Sequence, residues 1–277
     1  MQERHAEAAQ AAERGLASLA SRSRPLPHDR YILLQLLYRA QQRLGALQEA
    51  RATAQLALER ALELAMPRLH VSALIDVSQA ALALGDLAGA HDAADEALRL
   101  VQASGNDFVR PQVHGCLGRV AAARGDVDRA RAALQQALDL YVAQSRLGDA
   151  AAMRCEIAAL DLAGGRAHDA LRAVEAIVED IVPGAPVAPA AGIGPEPARL
   201  TLDPEGLLIC VRVLEAHGDA RAARLLAHLQ SRLQDQLARL PDAATRSRVS
   251  ALPHWAEVRR RLDERRPRSA ARGGSEA

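Results

Sequence analysis

Apolar residues recur along the chain at helical spacing, and the spacing itself repeats every 40 residues. Gly45, Gly85, Gly125 and Gly165 mark the period. Eight residues before each glycine stand Leu37, Val77, Leu117 and Ile157; five before stand Ala40, Ala80, Val120 and Leu160. Five after come Ala50, Ala90, Ala130 and Ala170, and twelve after come Ala57, Ala97, Ala137 and Ile177. Residues 108–141 show what one unit does. Val113, Leu117 and Val120 make a helical stripe that stops at Gly125, where glycine takes the left-handed C′ conformation without a Cβ penalty. Asp126 then suits the N-cap of a second helix. That helix places Val127, Ala130, Leu134, Ala137, Leu138 and Tyr141 on one face. The unit is a helix, a Gly-Asp turn and an antiparallel helix. Gly85-Asp86 repeats the turn, whereas Gly45-Ala46 and Gly165-Arg166 keep only the glycine.

A fifth unit, with Gly218-Asp219 and Ala223, stands 53 residues beyond Gly165. The extra length falls in DIVPGAPVAPAAGIGPEPARLTLDP, which holds six of the 13 prolines and reads as a loop or extended strap. The front, AEAAQAAERGLASLA, matches only the second helix of a unit. LPHWAEVRRRL reads as a capping helix carrying Trp255. The expected organisation is therefore a partial helix and linker (1–30), four 40-residue hairpins (31–180) and a Pro/Gly/Ala-rich loop (181–203). A fifth hairpin with a capping helix (204–266) and a disordered tail (267–277) complete it. The fold class expected is all-α, a right-handed solenoid of antiparallel helix pairs.

Composition agrees: Ala (61) and Leu (41) make up over a third of the 277 residues, and aromatics only 2 %, so sheet architectures are excluded. All 35 basic residues counted as Lys+Arg are arginine. A phosphate loop of the GxxxxGK[ST] kind needs lysine and is thereby excluded. The formal net charge is +1, which gives no field for nucleic acid. The locally basic end RRRLDERRPRSAAR carries two acids and no aromatic, and reads as a solvated helix end and tail. Three cysteines (116, 155, 210) form no CxxC pair and read as core residues of a reducing compartment. The first ten residues have no signal-peptide core, and no window approaches a membrane span, so the expectation is a cytoplasmic protein.

The segments LGALQEARATAQLAL, LGDLAGAHDAADEAL, RGDVDRARAALQQAL and GGRAHDALRAVEAIV resemble tetratricopeptide repeats. Leu34, Leu74, His114 and Arg154 stand where that repeat carries tryptophan, and the period is 40 instead of 34. The stretch RVLEAHGDARAARLLAHLQSRLQDQLARLPDAATRSRVSALPHW is similar to the ends of long-repeat arrays in bacterial ATPase-containing transcriptional regulators and nucleotide-cyclase-like signalling proteins. The resemblance covers the repeat module alone and implies a protein-interaction array, stand-alone or truncated.

No HExxH, GxSxG, GxGxxG or EF-hand constellation occurs, and His114 and Cys116 face different ways on a helix. No enzyme activity, metal or cofactor is expected. Taken in the tetratricopeptide phase, the concave wall holds the residues six before each glycine (Arg39, Gln79, Arg119, Ala159, Arg212). It also holds those ten before (Gln35, Ile75, Gly115, Cys155, Leu208), with Gln42 and Arg43 extending the first unit. The candidate partner-binding set is Gln35, Arg39, Arg43, Gln79, Arg119 and Arg212, whose arginines can grip carboxylate or phosphate bidentately. The expected partner is a protein or peptide in the groove; self-association through the terminal repeats is a further route. The alternative is a ligand-sensing or regulatory module of an ATPase-linked signalling protein lacking its effector domain.

Overall fold

Each of the period glycines holds a left-handed backbone, with φ between +65° and +80° at Gly45, Gly85, Gly125, Gly165 and Gly218. The turn they make is seen at Gly85: its N–H bonds the Leu82 carbonyl at 3.0 Å, and the Asp86 N–H bonds the Ala81 carbonyl at 2.9 Å. This pair of bonds satisfies the last carbonyls of one helix and reverses the chain. Asp86 and Asp126 then cap the next helix, accepting from the backbone N–H of Gly89 (2.9 Å) and Arg129 (3.2 Å). Ala46 and Arg166 occupy the same place with no side-chain cap.

The computed structural model describes residues 4–21, 27–182 and 202–265. Thirteen helices lie among them. A single helix α1 (His5–Ala20) precedes the hairpins α2/α3 (Pro27–Arg43, Leu47–Glu63), α4/α5 (Pro67–Ala83, Leu87–Ser104) and α6/α7 (Arg110–Ala123, Val127–Ala143). The hairpins α8/α9 (Leu147–Ala163, Ala167–Ile181) and α10/α11 (Pro204–Ala216, Arg221–Ala238) follow, then α12 (Ala243–Ala251) and α13 (Pro253–Arg265). The Pro-rich stretch falls mostly outside the described residues, and the tail wholly so.

Each helix packs on the next in sequence, and first helices also meet across units: α2 on α4, α4 on α6, and α8 on α10. The alanines five and twelve after the first four glycines are fully buried up to Ala137 and Ala170, with Ile177 1 % exposed in the last slot. Small side chains there let the helices of a hairpin approach closely, and leucines fill the space between units. Among the described residues there is no strand, and no helix is long and apolar enough to cross a membrane.

Two local expectations need correction. Val127 is 42 % exposed, because it is the first residue of α7 and lies beyond the reach of the neighbouring unit. Ala223 is exposed as well, and Ala222 is buried in its place. The cause is the turn at Asp219. Its carboxylate takes the Arg221 N–H (2.8 Å) and guanidinium, and Ala222 and Ala223 bond carbonyls only three residues back. That tighter first turn moves the buried stripe of α11 one residue toward its N-terminus, onto Ala222, Leu225, Leu226, Leu229 and Leu233.

The array also returns on itself. A β-carbon at Gly45 would stand 3.1 Å from the Arg248 carbonyl oxygen, so the α2–α3 turn lies against α12. Arg43 reaches Asp203 (3.7 Å) and Glu205 (3.6 Å) at the start of α10. Leu37, Ala40 and Leu44 of α2 share one apolar cluster with Leu207, Val249 and Trp255. Comparing two glycines isolates this closure. At Gly85 nothing lies within 4 Å of an added Cβ, so Gly85→Ala costs only the left-handed backbone, about 1 kcal/mol. Gly45→Ala adds a clash with a backbone carbonyl, and we expect roughly twice that loss in equilibrium denaturation. Equal losses would show that the closing contact carries no weight.

Candidate functional site

The first helices are held edge to edge by the small residues of their second helices, and their free faces turn inward. Because the array returns on itself, those faces line a half-open cavity of about 970 Å³. Gln35, Arg39 and Arg43 reach it from α2, Gln79 from α4, Arg119 from α6 and Arg212 from α10. All six residues chosen from the repeat phase therefore face one space. Ile75, Gly115 and Leu208 line it too. Cys155 and Ala159 do not. The inner face of α8 is covered by α10, with the sulfurs of Cys155 and Cys210 3.8 Å apart in the core. α10 packs on both α8 and α9, and α8 reaches the wall through Asp149 alone.

The arginines are not equivalent. Arg119 grips Glu156 of α8 with three bonds of 2.7–3.1 Å. Arg212 makes the same fork on Glu257 of α13, with Nε at 2.9 Å from Oε1. Arg43 faces Asp203 and Glu205, and Arg146 pairs with Asp149 at 2.9 Å. Of the five arginines on the wall, only Arg39 has no ion pair or hydrogen bond with a described residue. Gln79 likewise has no hydrogen-bond partner among them.

Carboxylates at repeat positions explain this, and they were missed in the sequence. Glu156 lies 37 residues beyond Arg119, nine before its own glycine; Asp76 bears the same relation to Arg39. An arginine six before one turn thus faces the residue nine before the next. Asp76 is 8 % exposed, and Gln35 Nε2 donates to its Oδ2 at 3.2 Å. Burial pushes its carboxyl up to about 7, against the pull of Arg39 and of the Gln35 hydrogen bond. Burial also raises Glu156, a shift that Arg119 opposes. The wall further carries Tyr38, whose hydroxyl accepts from Gln42 Nε2 at 3.3 Å, and Tyr141, which burial pushes up to about 12. Trp255 closes one side of the cavity, and His254 beside it stands 3.1 Å from Glu205.

Other candidates have local uses. Cys116 donates to Ser78 Oγ at 3.1 Å inside the core, and His91 pairs with Asp95 at 3.4 Å. In the described part of the basic end, Arg260 pairs with Glu264, Arg261 with Glu215 and Glu257, and Arg265 with Glu215 at 2.8 Å. Among the described residues no group of three or more His, Cys, Asp or Glu could hold a metal ion.

No protein-family model matches the chain, and no curated protein does. Solved structures do. BtubC (BKLC) from P. vanneervenii aligns over 86 % of this chain and 94 % of its own, at 15 % identity and a TM-score of 0.57. A Rap protein complexed with Competence and Sporulation Factor aligns over 85 % of this chain at 12 % identity and a TM-score of 0.58, with 65 % of that protein covered. A putative kinesin light chain from Podospora anserina with nearly identical TPR-like repeats covers 77 % of this chain at 17 % identity and a TM-score of 0.51. At these identities the likeness is one of fold, and it agrees with the glycine turns, the alanine slots and the stacked hairpins: the chain is an all-α solenoid of the tetratricopeptide-like kind.

Proposed function

We propose that the protein is a non-enzymatic interaction module that receives a short peptide, or a chain segment of a protein partner, in its half-open cavity. The observation that carries this is the convergence of first-helix side chains from four hairpins on one polar space of about 970 Å³. That volume lies near the top of the range for small-ligand sites, which suits a short peptide better than a folded domain. The half-buried Gln79 amide and Arg39, neither with a hydrogen-bond partner among the described residues, supply donors and an acceptor for a peptide main chain. A Rap protein of similar fold was solved in complex with Competence and Sporulation Factor, which supports this reading. A regulatory role within a larger signalling protein is the second reading, favoured by the likeness of the C-terminal repeat stretch to regulator arrays.

The test is selection of random short peptides on the full chain and on Gln79→Trp, which fills the cavity from α4. Gln79 makes no hydrogen bond that the fold would lose, so the variant is expected to melt like the wild type. Enriched peptides should bind the wild type and lose at least tenfold in affinity, about 1.4 kcal/mol, on Gln79→Trp. Peptides that bind both forms equally would overturn the cavity as the site.

A further inference from the structure

We propose that the corner of the cavity between α2 and α4 is an oxyanion subsite, in which Arg39 takes one carboxylate or phosphate group of the guest and Asp76 takes up a proton as it arrives. The proposal rests on the cavity being the binding site and names the chemistry of one end of the guest.

Side-chain length sets the two cross-unit pairs apart. In the third and fourth units the arginine six before one turn meets a glutamate nine before the next, and Arg119 and Glu156 close a fork. In the first and second units the same positions hold Arg39 and Asp76. Aspartate is one methylene shorter, and Asp76 sits deep in the wall with its carboxylate turned to Gln35. No ion pair forms within 4 Å, so the planar fork of Arg39 faces the cavity with its donors unused. An oxyanion fits that fork bidentately. The other four arginines on the wall are already matched by carboxylates of the chain. Among the described residues, Arg39 is therefore the one arginine of the wall without a carboxylate partner.

The proton follows from what surrounds Asp76. The ionisable groups that feel it are Tyr31, Tyr38 and Arg39 on α2 and Cys116 on α6. Burial raises the two phenols and the thiol, so all three stay neutral near neutral pH. Asp76 alone changes state there. An anion brought to Arg39 takes away the positive charge that favoured the carboxylate and adds a negative one, so Asp76 accepts a proton from solvent. Binding then tightens as pH falls. At pH 8 the ionised Asp76 competes for Arg39 and repels the guest, whereas at pH 6 it is neutral and does neither.

Calorimetric titration of the full chain with N-acetylglycine and with inorganic phosphate tests this, with emission of Trp255, on the cavity wall, as a second readout. N-acetylglycine stays ionised throughout, so its pH dependence reports the protein; we expect binding about fivefold tighter at pH 6 than at pH 8. Phosphate alone binding would assign the guest group as a phosphate, and N-acetylglycine alone as a carboxylate; binding of neither overturns the subsite. Arg39→Gln should abolish binding with unchanged helicity, and binding that survives it overturns the proposal. Asp76→Asn should retain binding and lose its pH dependence. A dependence that persists in Asp76→Asn overturns the role of Asp76. Peptides selected on the wild type that bind Arg39→Gln equally well would overturn the subsite while leaving the cavity reading in place. Peptides indifferent to Gln79→Trp would overturn the cavity reading itself.

Discussion

Replacing Trp255 by alanine is expected to cost about 3–5 kcal/mol, the range for emptying a fully buried tryptophan site. Trp255 is 1 % exposed, and with Val258 it is one of two fully buried residues that fasten α13 to the last hairpin. It belongs to the apolar cluster that also holds Leu207, Val211 and Leu225 and reaches Leu37 and Leu44 of α2. One side chain thus serves both the cap and the closure. Without it α13 separates, Glu257 leaves Arg212, and Arg261 leaves Glu215. In a solenoid such losses stay near the end where they occur, since each unit is held mainly by its neighbours. The measurement is hydrogen exchange with a thermal melt: protection lost over 253–265, a lower midpoint, and α4–α7 still protected. A melt and an exchange pattern like the wild type would show that Trp255 only lines the cavity.

The fold was legible because its turns demand a particular residue. A left-handed C′ position selects glycine strongly, so five hairpin turns were visible as five glycines, and the alanine slots followed from close helix approach. Of the turns between hairpins, the one after α5 carries the same mark, with Gly105 left-handed at φ 61°. Ala65 and Ser145 adopt the same left-handed region (φ 50° and 56°) without glycine, and α12 is a nine-residue helix with no period to reveal it.

The groove residues were legible from the repeat phase, but their state was not. Whether an arginine is free depends on a residue in the next unit. The 37-residue spacing from Arg119 to Glu156 was present in the sequence, yet only the structure shows that position six faces position nine across units. The partner of Arg212 comes from outside the repeats altogether, on α13. Closure is less local still. It is the sum of a small rotation at every unit, and no single residue encodes it.

Removing residues 86–125 tests both the repeat logic and the closure. The deletion splices Gly85 to Asp126, so α4 meets α7 through a Gly-Asp turn of unchanged phase. Ala130 inherits the place of Ala90, whose carbonyl accepts the Ser78 hydroxyl at 2.7 Å, so that buried bond can be remade. The shorter chain is therefore expected to fold with the same helicity per residue. It does not remain as stable, because Gln79 now stands where Arg119 gripped Glu156. The half-buried Glu156 carboxylate meets an amide in place of a guanidinium. Losing one partner of a buried pair costs 3–5 kcal/mol, and with both groups here partly exposed the figure falls to about 2 kcal/mol. Adding Gln79→Arg to the deletion should restore most of that loss by rebuilding the fork. Neither version can bring Gly45 back to Arg248, so small-angle scattering should show an open arc and the selected peptides should no longer bind. Loss of helicity on deletion would instead mean that the thirteen helices form one closed cooperative bundle. Rescue absent in the Gln79→Arg version would mean that the contact between positions six and nine is not a property of the repeat.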